Sequence, residues 1–180
     1  MRVRRAEPGD APAIAGVVVA SWRAAYRGLL ADELLDELSV DERAVRWDSR
    51  IATRHTSVLV ADDDDSIVGV CSTSAPSPDV DARPRTAEMS ALYVSPDRWR
   101  QGVGRALLFA ALAALTAGGW RELTLWVLEG NDAGLSFYRR FGFEFEGTRG
   151  VHARSGAPTV RLRRPLAGPS GKKRDREGDV

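Results

Sequence analysis

The stretch from Glu88 to Leu108, EMSALYVSPDRWRQGVGRALL, limits what this chain can fold into more than any other. It opens with β-type residues from Met89 to Val94 and turns at Ser95-Pro96. It then passes through Arg98, Trp99, Arg100 and Gln101 to Gly102 and Gly104, and an apolar run begins at Ala106. That order predicts strand, glycine turn, helix. Glycine has no Cβ, so the backbone can approach a ligand closely. The first amides of a helix lack internal partners, and with the positive end of the dipole they form an anion site that phosphate commonly fills.

Three kinds of phosphate loop have this outline. A kinase or ATPase loop ends in Gly-Lys-Ser/Thr, whereas Gly104 is followed by Arg105-Ala106. A dinucleotide fingerprint needs a third glycine at position 107, which is Leu107. What remains is a Gly-x-Gly loop flanked by Arg and Gln after a strand ending Leu-Tyr-Val.

Composition narrows the rest. The 180 residues suffice for one domain with a real core. The 26 basic and 25 acidic residues leave a net charge of +1, so no strong field for nucleic acid arises. Cys71 is the single cysteine, in an apolar run, and reads as a small buried residue. With His55 and His152 far apart, no zinc ligand set exists and no metal is expected. The basic start, Met1 to Arg5, is followed by Glu7-Pro8-Gly9-Asp10 where a signal peptide needs apolar residues. The apolar run Ala106 to Ala117 is too short for a bilayer, which takes ~20 residues. A cytoplasmic protein without membrane contact is the expectation.

Taken in order, Arg2 to Ala6 reads as a strand. Asp10 is placed to cap a helix with Pro12 in its first turn, carrying Ile14, Val17, Val18, Trp22, Ala25 and Tyr26 at helical spacing. A short helix follows around Asp32 to Leu38. The capping box Ser39-Val40-Asp41-Glu42 starts another that includes Trp47. Thr56 to Ala61 and Ser66 to Ser74 form a hairpin closed by a solvated turn, Asp62 to Asp65. Ala75 to Arg85 is a Pro- and Asp-rich loop. After the organising stretch, Leu123 to Leu128 is a strand, and Asn131 caps a helix from Asp132 to Phe141. Phe143 to Thr148 and Thr159 to Leu166 form a last hairpin. Residues 167–180 are Gly, Pro, Ser and mixed charge and read as a disordered tail on a domain of residues 1–166. The fold class is α+β, a mixed, mostly antiparallel sheet with helices on both faces.

Residues 131–143 read NDAGLSFYRRFGF. An Asn opening a helix, then Phe-Tyr-Arg-Arg and Gly-Phe, preceded one strand earlier by LYVSP and the Gly-x-Gly loop, resembles the GNAT N-acetyltransferase superfamily. Glu88 and Ile67-Val68-Gly69-Val70 look like that family too. The likeness is strong from Glu88 to Phe143 and loose before Ser57.

The resemblance implies a fold in which two central parallel strands, Met89–Val94 and Leu123–Leu128, splay apart and admit the pantetheine arm of acetyl-CoA, the co-substrate. Backbone groups of Leu92 and Val94 would pair with the arm, and Tyr93 between them counts with the cofactor-binding residues. The amides of Gln101, Gly102, Val103, Gly104 and Arg105 would hold the pyrophosphate, with Arg98 and Arg100 adding charge-assisted bonds. Asn131 would contact the arm. Trp99 stands where the family usually has Gln or Arg.

The implied reaction is attack of a primary amine, of a small molecule or a peptide or protein, on the thioester in a ternary complex. Tyr138 would protonate the leaving sulfur and Glu88 would act as base. Trp22 and Tyr26 are candidates for the acceptor site. Glu33, Asp36 and Glu37 could attract a cationic amine, though a solvated helix face is the simpler reading. His152 reads as an ordinary surface histidine in a loop that borders the acceptor. The resemblance leaves a homodimer open. The competing class is a non-catalytic acyl-CoA-binding or sensing module on the same fold.

Overall fold

Short apolar runs bounded by Gly, Pro and Asp become strands, and runs with helical periodicity become helices, over nearly the whole chain. The computed structural model describes residues 1–63 and 66–166. The elements are β1 (Arg2–Arg5), α1 (Ala11–Ala25), α2 (Asp32–Asp36), α3 (Val40–Ala52), β2 (Thr56–Asp63), β3 (Ser66–Ser74), β4 (Thr86–Val94), α4 (Val103–Ala117), β5 (Glu122–Leu128), α5 (Asp132–Arg140), β6 (Glu144–Val151) and β7 (Pro158–Pro165). The tail expected over 167–180 lies outside the described residues.

The strands form one sheet in the order β1-β2-β3-β4-β5-β7-β6. All neighbours pair antiparallel except β4 and β5, which are parallel. This is the mixed sheet expected from the sequence. Each face carries its own core. On one, Val103, Leu107, Leu108 and Ala111 of α4 and Leu135 of α5 pack on Ala87, Met89, Leu123 and Leu125. On the other, Ile14, Val18, Trp22, Leu35 and Trp47 from α1, α2 and α3 pack on Val58, Val60, Val70 and Ala91.

All three expected N-cap residues stand at the start of their helices, and two of them make the side-chain cap bond. Ser39 Oγ accepts the Glu42 N–H at 3.2 Å, and Asn131 Oδ1 accepts the Gly134 N–H at 3.0 Å. The Asp10 carboxylate makes no cap bond with α1. It accepts from Arg4 Nη1 at 2.7 Å and from the Glu7 N–H at 2.7 Å, tying β1 to the turn before α1. The Arg4 guanidinium holds Asp10 below the usual carboxylate range. A charged partner outcompeted the helix amides for this side chain.

The expected turn at Asp62 to Asp65 also needs correction. Asp62 and Asp63 belong to β2, and residues 64 and 65 lie outside the described residues. Arg4 Nε meets Asp62 at 2.9 Å, while Arg98 Nη1 and the Met1 amine meet Asp63 at 2.8 and 3.0 Å. These aspartates fasten neighbouring segments together.

The Asp-rich loop between β3 and β4 is likewise anchored by charge. Arg161 on β7 is buried and pairs with Asp79 at 3.0 Å, with Asp81 at 2.6 Å and with Glu146. Trp126 Nε1 also donates to Asp79, and the Arg161 guanidinium lies over the Trp126 ring. A guanidinium shared by three carboxylates is compensated in a way that an isolated buried charge is not.

Gly69 in β3 sets how closely α4 can approach the sheet. A Cβ there would lie 2.9 Å from Leu107 Cδ1, 3.0 Å from Val103 Cγ1 and 3.3 Å from the Tyr93 carbonyl oxygen. Gly69→Ala is therefore expected to lower stability by about 1–3 kcal/mol through overpacking, read as a shifted denaturant midpoint at unchanged slope. A neutral result would mean that α4 yields without cost.

Candidate functional site

Parallel pairing of β4 with β5 runs only from Thr86↔Glu122 to Met89↔Leu125. Both strands continue, β4 to Val94 and β5 to Leu128, without pairing to each other. A register shift against β3 falls at Ser90, between the pairs Ser72↔Ala91 and Thr73↔Met89. It inserts one residue and reverses the facing of the strand. Before it, Ala87 and Met89 pack toward α4; beyond it, Leu92 and Val94 do, while Ala91 and Tyr93 face α1 and α3.

A cavity of about 740 Å³ opens where the strands part. Its walls include Leu92, Trp99, Asn131, Gly134 and Tyr138 toward α5, and Trp22, Tyr26, Arg43, Trp47, Arg50 and His152 toward α1 and α3. The volume is in the range of small-molecule sites.

At one edge lies the loop before α4. Arg100 and Gly102 both have positive φ, 61° and 87°. The first bond of the helix is Ala106 N–H to the Gly102 carbonyl at 3.0 Å, and among the described residues no protein acceptor takes the amides of residues 100 to 105. Consecutive amides in such a turn form an anion-binding concavity. The two glycines have different reasons for being there. Gly102 needs its φ, and a Cβ there would meet nothing within 4 Å. Gly104 has no such need, and its Cβ would touch Phe137 and Val94 at ordinary distances of 3.5 and 3.6 Å.

Nearby side chains are partly committed elsewhere. Arg98, expected on phosphate, is held by Asp63, because a carboxylate of β2 lies within reach. The Gln101 side chain donates to the Asp97 carbonyl at 2.9 Å, leaving its main chain for a ligand. Trp99 Nε1 donates to the Val94 carbonyl at 2.7 Å. The indole therefore occupies one of the backbone acceptors at the open end of β4. Arg100 and Arg105 are exposed beside the loop.

Tyr138, on α5, is half-buried and lines the cavity. Its ring packs edge-on against Phe137 and Phe143, at 5.3 and 5.6 Å between centroids. Burial pushes the phenol pKa up, so the hydroxyl stays protonated. Asn131 lines the same wall, with its Oδ1 used as the α5 cap.

Glu88 is 9% exposed and is not among the residues lining the cavity. Burial, and next the Asp79 carboxylate, push its pKa up to about 7, against the opposing pull of Arg50 and Arg161. Ser90, two residues along β4, does line the cavity and accepts from Arg50 Nη1 at 3.1 Å.

Toward α1, Trp22 and Tyr26 pack edge to face at 5.1 Å and both line the cavity. Trp22 also belongs to the core, so the two readings of it coincide. Tyr93 packs beside Trp22 at 6.4 Å, and burial raises the pKa of both Tyr26 and Tyr93. Asp32 and Asp36 are exposed and paired with Arg27 at 3.1 and 3.0 Å, away from the cavity wall.

Two features escaped the sequence reading. His152, read as a surface residue, lines the cavity with its ring 5.4 Å from Trp22. Its Nδ1 is 2.9 Å from Ser155 Oγ, and burial together with Arg154 and Arg43 lowers its pKa, which favours the neutral ring. Arg43, Arg46 and Arg50 line the same side. Their spacing along α3, with Trp47 between them, was the available signal, since three and four positions share a helix face.

Among the described residues no cluster of metal-binding side chains occurs, and no helix is long and apolar enough to cross a membrane. The two glycine roles yield a paired test. Gly102→Ala is expected to destabilise by about 1–2 kcal/mol, because L-residues resist positive φ. Gly104→Ala is expected to keep or raise stability by up to ~1 kcal/mol through helix propensity. Thermal melts of both variants check this, and equal losses would contradict the assignment.

The comparisons with known proteins agree with this geometry. Residues 18–143 match the model of the Acetyltransferase (GNAT) family. An uncharacterized N-acetyltransferase of Bacillus subtilis is 32% identical over 143 residues, covering 79% of each chain. A probable N-acetyltransferase of Mycobacterium tuberculosis is 28% identical over 149 residues, covering 82% of each. Among solved structures, the PaiA N-acetyltransferase of Thermoplasma acidophilum in complex with coenzyme A superposes with a TM-score of 0.76. It is 22% identical, with 91% of this chain and 98% of that one covered.

Proposed function

The chain belongs to the GNAT acetyltransferase family, and from that premise we propose that it transfers the acetyl group of acetyl-CoA to a primary amine in a ternary complex. The observation that carries this reading is the end of β4–β5 pairing at Met89 and Leu125, beside a run of free amides from 100 to 105. One feature holds a diphosphate, and the other admits the arm attached to it. The solved structural neighbour with coenzyme A supports the same choice of co-substrate.

Each residue then has a task. The amides of Gln101, Gly102, Val103, Gly104 and Arg105 bind the diphosphate, and the Arg100 guanidinium adds charge-assisted bonds. Backbone groups of Leu92 pair with the arm, and the N–H of Val94 joins them because Trp99 already uses its carbonyl. The main chain of Tyr93, expected there too, faces β3, where it lies opposite Val70. The NH₂ group of Asn131 contacts the arm from the other wall.

An amine must lose its proton before attacking the thioester carbonyl. Glu88 has a pKa suited to accept that proton near neutrality. Because it stands off the cavity wall, the transfer runs through a bridging water. Tyr138 supplies a proton to the departing sulfur. An ordinary phenol near pKa ~10 is already a weaker acid than a thiol near ~8.5, and burial raises it further. Tyr138 therefore works by position and by relieving the developing charge rather than by acid strength.

The second reading is a non-catalytic acyl-CoA-binding module. Trp99 at the edge of the opening is the observation that favours it, since the indole uses a backbone acceptor that an acyl arm could otherwise use.

At ~100-fold its Kd, acetyl-CoA is expected to raise Tm by roughly 5–10 °C through linkage, and ATP is not. Stabilisation by ATP alone would refute the site. Tyr138→Phe is expected to lower turnover about 10²–10³-fold with acetyl-CoA affinity nearly unchanged. Stabilisation by acetyl-CoA without CoA release from any amine would favour the non-catalytic module.

A pH profile tests Glu88. Below its pKa of about 7 the carboxyl is protonated and cannot accept a proton, so kcat/KM should rise with pH and level off above 7. Glu88→Gln should lower the plateau and remove that inflection. An unchanged inflection in the variant would assign it to another group.

A further inference from the structure

The α3 side of the cavity carries a concentration of positive charge that no carboxylate among the described residues pairs with. Arg43, Arg46 and Arg50 all line it. Among the described residues, none of the three forms a salt bridge with a carboxylate. Arg50 is satisfied in part by Ser90 Oγ and lies over the Trp47 ring at 5.1 Å. Arg43 is different. Its guanidinium sits 4.6 Å over the Trp22 ring, and its Nε and Nη2 are buried without a hydrogen-bond partner among the described residues. Trp22 Nε1, against it, is also buried and has no hydrogen-bond partner among the described residues.

Three cations thus line this side of the cavity, and beside them the two Arg43 nitrogens and Trp22 Nε1 are buried donors without a partner among the described residues. Native proteins rarely leave such groups unsatisfied, and a bound ligand is one of the groups that can satisfy them. A guanidinium presents a planar fork that matches a carboxylate or a phosphonate. Burial disfavours the Arg43 cation, Arg154 and Arg46 add to that, and an anion placed among them would offset both. Glu88, which feels Arg50 electrostatically, is not among the lining residues.

Resting on the acetyltransferase reading above, we propose that the acceptor is a small amine bearing an anionic group, a carboxylate or phosphonate as in a free amino acid. Arg43 and Trp22 Nε1 grip that group. Arg46 and Arg50 supply the surrounding field. The amine end then points across the opening toward the thioester. A polyamine or an aminoglycoside would bring further positive charge against three arginines and is disfavoured. A peptide N-terminus carries an amide in place of the α-carboxylate and leaves the same donors unpaired.

The test compares free amino acids with their matched amides, together with spermidine and a short peptide, at saturating acetyl-CoA, following release of CoA thiol. The acids are expected to exceed their amides by about 10²-fold or more in kcat/KM, as for a site built to pair a polar group. Arg43→Met should raise KM for the acid about 10–100-fold, with KM for acetyl-CoA within about twofold of the parent. Arg43→Lys should recover part of the loss. If Arg43→Met does not fold by its thermal melt, Arg46→Ala, at an exposed position, serves in its place with a smaller expected rise of about 3–10-fold from the weaker field. Equal or better turnover of amides, spermidine or peptide overturns the proposal and leaves the acetyltransferase reading intact. Stabilisation by acetyl-CoA with no acid acetylated, and none raising the Tm of the CoA complex, also overturns it. A failure of acetyl-CoA itself to bind would instead defeat the underlying reading.

Discussion

Everything at this site depends on the point where two parallel strands stop sharing hydrogen bonds. β4 and β5 are paired through Met89 and Leu125 and unpaired beyond. The backbone groups released there have to be satisfied by something other than the sheet. One of them, the Val94 carbonyl, is met by the Trp99 indole. The extra residue at Ser90 belongs to the same event. By reversing the facing of β4, it puts Tyr93 among α1 and α3 and leaves Leu92 and Val94 against α4. One strand thereby borders both halves of the cavity.

Strands that diverge in the middle of a sheet must be held apart, and the two sides are held by different means. On the α4 side the constraint is packing, with Leu107 and Val103 pressed against Gly69 so that the amides of the loop stay fixed relative to β4. On the β5–β7 side the constraint is charge. Arg161 gathers Asp79, Asp81 and Glu146 and so fixes the loop before β4. That network bears on Glu88, whose pKa Asp79 raises and Arg161 lowers. Burial raises the Glu88 pKa first, and this ion cluster adjusts it. Charge of the opposite kind dominates the far wall, where Arg43, Arg46 and Arg50 face the opening.

Much of this was legible in the sequence because local rules agreed with the final fold. Periodicity gave the helices, the capping motifs at Ser39 and Asn131 gave their starts, and Gly102 announced the turn before α4 by needing a conformation that other residues avoid. The failures have a common cause, competition between local and distant partners. Asp10 left its helix for Arg4, Asp62 and Asp63 left their turn for β2, and Arg98 left the loop for Asp63. The bulge at Ser90 had no local signature, since its neighbours are ordinary strand formers. His152 and the α3 arginines were missed because the cavity they share joins segments far apart in sequence. The spacing of the arginines was visible, but spacing alone does not say whether a helix face meets solvent or an opening.

The central claim is that free amides at 100–105 and the unpaired edge of β4 together receive a coenzyme A. Amide hydrogen exchange with and without coenzyme A tests it most directly, read over peptides spanning residues 90–94 and 100–105. The account predicts slowed exchange in both segments on binding, strongest over 100–105, with little change in β1 and β2. Binding that leaves both segments unprotected, or protection confined to other elements, would contradict it.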